Sequence, residues 1–440
     1  MLIVHGTLLL RQGGYRLLPD GALRLDGARI AEIGPSQDLE AKYPQEERLD
    51  AQGMLVMPGL VCAHTHFYRL LGRGLDRRGF EPRNLEQALR GIWWKLDAAL
   101  DYESIRYATL MGCMEAVRHG VTTVFDHLAA PNAVRYALDA AAEAVLQVGL
   151  RACLAYEVSD RHGLPSGRAG VEENVRFARR VRQETLLAAS MGLQSSFTLS
   201  DQTLAAAVGG AAITDIGMHV HVAHDRFDQL DCFNRYGLRV VERLRRVGVL
   251  GPRTLAVHCV HVTLEEMEIL AKNRCWVVHN PRANMHYAVG LAPVVELLQH
   301  GLPVGLGGDG FGHDLFWEMR LAHLLQRYST GDPRALPAQT VAEMLLGHNA
   351  ALASRIFRDK LGELSVGALA DLIVVEEVGP TPVTAANLAE RLVGDFTGCQ
   401  VDTVIVAGKV LMRHRRLLTV DEPAVMARAR ELTRQVWARL

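Results

Sequence analysis

Leu55-Val-Met-Pro-Gly-Leu-Val-Cys-Ala-His-Thr-His-Phe67 is an apolar run that ends in two histidines. On a strand, the i, i+2 spacing puts His64 and His66 on one face. Two imidazoles aimed at one point can hold a single transition metal. Alone the pair is weak, because a core or solvent-facing pair is commoner. Its weight comes from residues of the same kind at the ends of later apolar runs: His219-Val-His221, His258, His279 and Asp309.

Those runs have an order. Short apolar segments at 59–62, 122–125, 151–156, 191–198, 217–222, 254–258, 276–279 and 304–307 alternate with helical patterns at 102–118, 134–147, 171–182, 235–246 and 264–273. Eight strands alternating with helices predict an α/β fold, a (β/α)8 TIM-like barrel over 59–362. Strand-type segments at 2–4, 6–10, 22–26, 29–33 and 54–57 precede it, separated by turns at Gly13-Gly14, Pro19-Asp20-Gly21 and Asp26-Gly27. Others at 371–375, 401–406 and 409–413 follow it. The two ends, 1–58 plus 363–420, are expected to form one small composite β-sandwich domain, with a C-terminal helix in 421–440.

Composition narrows the function classes. The 440 residues carry 48 basic and 49 acidic side chains, a net charge of −1. That balance gives no electrostatic reason to expect nucleic acid or an anionic membrane as partner. No window has the roughly 18 uninterrupted apolar residues of a membrane span, and the N-terminus does not read as a signal peptide. Seven scattered cysteines without a Cys-x-x-Cys pair suit reduced thiols in a cytoplasm.

In such a barrel the active site lies at the C-terminal strand ends, where these histidines and Asp309 fall. The joint pattern points to a mononuclear site of three His and one Asp. A further position then stays open for water, whose pKa a divalent ion lowers toward about 7. Asp309 is the natural group to take that water's proton.

The motifs resemble the amidohydrolase superfamily, in its cytosine deaminase, chlorohydrolase and guanine deaminase branch. Met57-Pro-Gly-Leu-Val-Cys-Ala-His-Thr-His66 looks like that family's strand-one motif. Val278-His-Asn-Pro-Arg-Ala-Asn-Met285 and Gly305-Leu-Gly-Gly-Asp-Gly310 look like its strand-seven and strand-eight segments. Gly362-Glu-Leu-Ser-Val-Gly-Ala-Leu-Ala-Asp-Leu-Ile-Val-Val375 looks like its return to the β-domain. Closer still, Ile92-Trp-Trp-Lys-Leu-Asp97 and Tyr156-Glu-Val-Ser-Asp-Arg161 are similar to segments of SsnA-type aminohydrolases.

The resemblance implies hydrolytic removal of ammonia from a C–NH2 carbon of a small nitrogen heterocycle or related amidine. It implies His64, His66, His221 and Asp309 as metal ligands, with His258 beside the reacting carbon. One divalent ion is expected, Zn2+ first, with Fe2+ or Mn2+ as alternatives. A homodimer and a small-molecule substrate are implied in the same way. Binuclear relatives bridge two metals with a carboxylated lysine on a middle strand. No lysine lies between Lys95 and Lys272, so that bridge cannot form.

One departure bears on mechanism. The family keeps a glutamate three residues after the strand-five ligand, and this chain has His221-Val-Ala-His224. His224 is therefore a catalytic candidate with Asp309 and His258. The same replacement supports a second reading, a barrel that has lost catalysis and serves as a binding protein or partner subunit. Candidate substrate contacts are Tyr68, Trp94, Glu157, Gln194 (where the family often has histidine), His279 and Arg282. Arg282, just after strand seven, has two equal readings: a bidentate grip on a substrate carboxylate, or a surface ion pair.

Overall fold

The computed structural model describes residues 1–11, 14–77 and 79–440. The turn expected at Gly13-Gly14 has its first residue outside them. Eight parallel strands form the barrel: Leu60–Thr65, Val121–Leu128, Arg151–Tyr156, Leu187–Leu193, Gly217–Val222, Thr254–His258, Trp276–His279 and Val304–Leu306. Nearly every residue in them is buried, as befits parallel strands covered on both faces.

The seam between strands one and eight closes through specific groups. Gly308 and Asp309 donate their backbone N–H groups to the His64 carbonyl, at 2.9 and 3.2 Å. Below them, the Asn349 amide donates to the carbonyls of Val61 and Leu306, at 2.6 and 2.8 Å. Its oxygen accepts from Leu306 N–H at 2.9 Å. One buried asparagine thus satisfies strand-edge groups that would otherwise be orphaned.

Both chain ends build the second domain, a nine-stranded composite sheet of sandwich type. Leu55–Pro58 pairs with Leu372–Val375 in the antiparallel sense, joining the two ends. Buried Arg151 on barrel strand three grips Asp371 through Nε at 2.8 Å and Nη2 at 3.1 Å, which ties the domains together. The C-terminal helix is Glu422–Ala438. Among the described residues no helix is long and apolar enough to cross a membrane.

Several element bounds differ from expectation. The segments at 2–4 and 6–10 form one strand, Leu2–Arg11, bulged near Gly6 where it changes partner. The strand expected at 191–198 is Leu187–Leu193, and Ser196–Thr198 is a 3-10 turn. The helix expected at 235–246 is two helices, Arg226–Tyr236 and Val240–Val247, because Gly237 at φ 65° ends the first. Arg243 is wholly buried and donates to Ser196 O, Leu199 O and Asp201.

Candidate metal centre

The barrel closes its histidines around one point. His64, His66, His219, His221 and His258 come from strands one, five and six, and Asp309 follows strand eight. All are buried. The backbone at these ends is unusual: Ala223, His258, Cys259 and Asp309 have φ of 46°, 74°, 50° and 48°. Non-glycine residues occupy that region only where their surroundings over-determine it. Here Cys259 N–H donates to Val222 O and Asp309 N–H to His64 O.

Hydrogen bonds assign the imidazole protons. His66 Nδ1–H donates to the His127 carbonyl at 2.6 Å, and His221 Nδ1–H to the Gln194 carbonyl at 2.7 Å. A carbonyl can only accept, so each Nε2 keeps a bare lone pair. Those two Nε2 atoms face each other at 3.2 Å. Two lone pairs so close repel, and a shared cation turns that repulsion into coordination. His64 adds a third nitrogen: its Nδ1 meets His219 Nε2 at 2.8 Å, and its Nε2 makes no hydrogen bond. Asp309 Oδ1 stands 3.2 Å from His66 Nε2 and 3.5 Å from His64 Nε2.

The protonation states suit a cation. Burial lowers the pKa of His64, takes His66 to about 3 and holds His221 well below the ordinary imidazole value. Burial alone would raise the Asp309 carboxyl, but the Arg69 charge beside it holds it well below the usual carboxylate range. Neutral imidazoles and an ionised carboxylate are the ligating forms. Three nitrogens and one oxygen are a donor set that divalent zinc, iron or manganese accepts.

A cleft opens on this centre, and Gln194, His221, His224, His258 and Asp309 line it. Of the other candidate contacts, Tyr68 is buried edge-on to His66, ring centroids 5.7 Å apart. Trp94 stacks on Phe197, a cleft residue, at 6.3 Å. Glu157 lies behind the histidines, 3.3 Å from His127 Nδ1. His279 is buried with neither ring nitrogen hydrogen-bonded. Arg282 is engaged elsewhere: Nε pairs with Glu318 at 2.8 Å and Nη1 donates to Phe311 O at 3.0 Å. Of the six candidate contacts, only Gln194 lines the cleft itself.

Three supporting roles escaped the sequence reading. His219 backs His64 from behind, and its signal is the i, i+2 parity with His221 that also marks the first pair. His127 sits near the end of strand two, Val121–Leu128, and its carbonyl orients His66. An apolar run ending in histidine is its signal too. Arg69, three residues past His66, donates from Nη1 to Asp309 Oδ1 at 3.0 Å. No local pattern announces it.

The chain is similar to known proteins over nearly its whole length. A model of the Amidohydrolase family matches residues 55–411. A Syntrophobacter fumaroxidans protein named 5-methylthioadenosine/S-adenosylhomocysteine deaminase is 32% identical, covering 99% of this chain and 98% of its own. A Methanosarcina acetivorans protein named 5'-deoxyadenosine deaminase is 33% identical, with 96% and 95% covered. The crystal structure of an adenosine deaminase from Xanthomonas campestris with bound zinc superposes at a TM-score of 0.89 and 26% identity, over 99% of this chain and 98% of that one.

Proposed function

This chain belongs to the amidohydrolase family, and we propose that within it the protein is a metal-dependent hydrolytic deaminase of an amino-substituted nitrogen heterocycle. It is a hydrolase of carbon–nitrogen bonds. The observation that carries the reading is the cluster of His64, His66 and His221 ring nitrogens, with Asp309 Oδ1 against the Nε2 atoms of His64 and His66. His64, His66, His221 and Asp309 would hold the ion, with Zn2+ as the native one. Such an ion supplies Lewis-acid activation of water at neutral pH.

The protein's own groups then handle position and protons. In the overall reaction a water oxygen bonds to the amino-bearing carbon, the C–N bond breaks and ammonia leaves. Asp309, ionised and at the head of the cleft, accepts the proton that water gives up. His258 Nδ1–H donates to Asn284 Oδ1 at 3.0 Å, so its Nε2 is a lone-pair acceptor for a proton or N–H. His224 Nε2 also lacks a partner and stands where the family keeps a glutamate. We assign it the proton transfer to the ring nitrogen, as a neutral imidazole relay.

The substrates named for the relatives are adenosine-type nucleosides, so these head the substrate class proposed here. A homodimer and a cytoplasmic location complete the reading. A barrel without catalysis finds no support among relatives named as deaminases. Ammonia release by the metal-loaded protein from adenosine, 5'-deoxyadenosine, 5'-methylthioadenosine and free aminopurines and aminopyrimidines tests it. Silence across that panel retires the reading.

A further inference from the structure

Asp309 reaches the histidine cage from a pliable support. It lies in Gly307-Gly-Asp-Gly-Phe-Gly312, four glycines in six residues, and its own φ is 48°. The loop is tightly coiled: a Cβ on Gly308 would fall 2.0 Å from the Gly312 carbonyl oxygen, and Gly310 has a φ of 77°. Glycine lets the chain take this shape and leaves it equally free to abandon it. A metal ligand carried on such a loop needs side-chain anchors from outside.

One anchor is Arg282, whose Nη1 donates to the Phe311 carbonyl at 3.0 Å. The other is His313, wholly buried at the loop's end. Its Nδ1 stands 3.1 Å from Glu115 Oε1, and its Nε2 3.1 Å from Thr65 Oγ1. A carboxylate accepts, so Nδ1 carries the proton, and Nε2 of the neutral ring accepts from the Thr65 hydroxyl. Thr65 lies between His64 and His66. Glu115 lies on the helix Tyr102–Arg118, and Arg73 grips it through Nη1 at 2.5 Å and Nη2 at 3.1 Å. One imidazole thus joins the strand that bears two ligands to the loop that bears another, and ties both to a helix.

A hydroxyl, an imidazole and a carboxylate in this order are also the parts of a nucleophilic triad. Here Thr65 and His313 are wholly buried, and the Phe67 ring packs against the imidazole, centroids 5.3 Å apart. No substrate reaches the hydroxyl, so what the three groups can do is hold a geometry.

We propose that His313, held by Glu115, is a positioning residue of the metal centre: by locking the strand-eight loop to Thr65 it sets Asp309 against His64 and His66. The inference rests on the ligand set of the deaminase reading above, and extends it to side chains that touch neither ion nor substrate.

Cobalt(II) is the probe, because its visible absorption follows the geometry of its ligands. His313→Leu, of similar bulk without the ring nitrogens, should bind Co2+ about tenfold more weakly than the parent by chelator competition, with shifted absorption bands. His313→Gln, whose amide offers one donor and one acceptor, should recover part of both. Glu115→Ala, which removes the anchor and leaves the imidazole, should show the same change to a smaller degree. A purely structural role lowers the urea midpoint and leaves affinity and bands as they are; that result overturns the inference, as does a loss that His313→Gln does not relieve. If His313→Leu does not fold, parental affinity and bands in Glu115→Ala overturn it. The two readings fail separately. A parent that shows these cobalt changes but releases no ammonia sinks only the deaminase, and an active deaminase whose variants keep parental metal binding sinks only the role of His313. A parent that takes up no metal sinks both.

Discussion

The imidazole rings of His224 and His258 lie face to face, their centroids 3.4 Å apart and their planes 2° from parallel. Burial lowers both pKa values, that of His224 to about 3. Two neutral aromatic rings can stack so closely, whereas two imidazolium rings would repel. The pair puts two unpartnered Nε2 atoms on the cleft beside Asp309.

If His224 relays a proton, removing it should harm turnover and spare the metal. We expect His224→Ala to keep about one metal equivalent per chain and to lower kcat by about 100-fold. His224→Glu should recover part of the loss. Metal analysis and steady-state kinetics check both, and an unchanged kcat in His224→Ala would falsify the assignment.

Metal affinity should grade with distance from the cage. His66→Ala removes a ligand and should leave the purified protein without stoichiometric metal. His219→Ala removes only the group that orients His64, so affinity should fall by about 10–100-fold. Competition with a chromophoric chelator measures the difference. Equal affinities for His219→Ala and the parent would dismiss the supporting role.

Acid should weaken the metal-free fold. Burial depresses His64, His66, His219, His221, His224, His258 and His279 below the ordinary value of 6.5. Below that pH the unfolded chain takes up protons that the folded chain refuses. Their stabilisation is therefore complete above about pH 6.5 and declines as pH falls toward 3. Asp97, Asp126, Asp228 and Glu318, raised by burial to about 7, act in the opposite direction, but the imidazoles outnumber them. Urea midpoints of chelator-treated protein at pH 7.5 and pH 5 report the balance, with the lower midpoint expected at pH 5.

Arg151 and Asp371 form a buried bidentate pair between the barrel and the composite sheet. Arg151→Met strands a buried carboxylate, at a cost of about 3–5 kcal/mol. Chemical denaturation measures it. A loss under about 1 kcal/mol would mean that water or another group reaches Asp371.

Local chemistry makes much of this protein legible. Most of the eight barrel strands can be located as apolar runs because burial on both faces demands continuous hydrophobicity, whereas the fourth lies at Leu187–Leu193, ahead of the run at 191–198. His64 with His66, and His219 with His221, share a face by the period of two alone. Gly237, by contrast, reads as one residue within a helix, and only its left-handed conformation shows two helices.

Which strands exist, and which face of each carries imidazoles, can thus be read from the chain's own order of residues, because both follow from local periodicity. Closure of the barrel decided the rest. Arg69 meets Asp309 across 240 positions of chain, His224 stacks on His258 from a neighbouring strand end, and the Gln194 carbonyl sets the His221 tautomer. Each depends on the direction a side chain or carbonyl takes after the barrel has closed. Spacing along a chain carries no record of that direction.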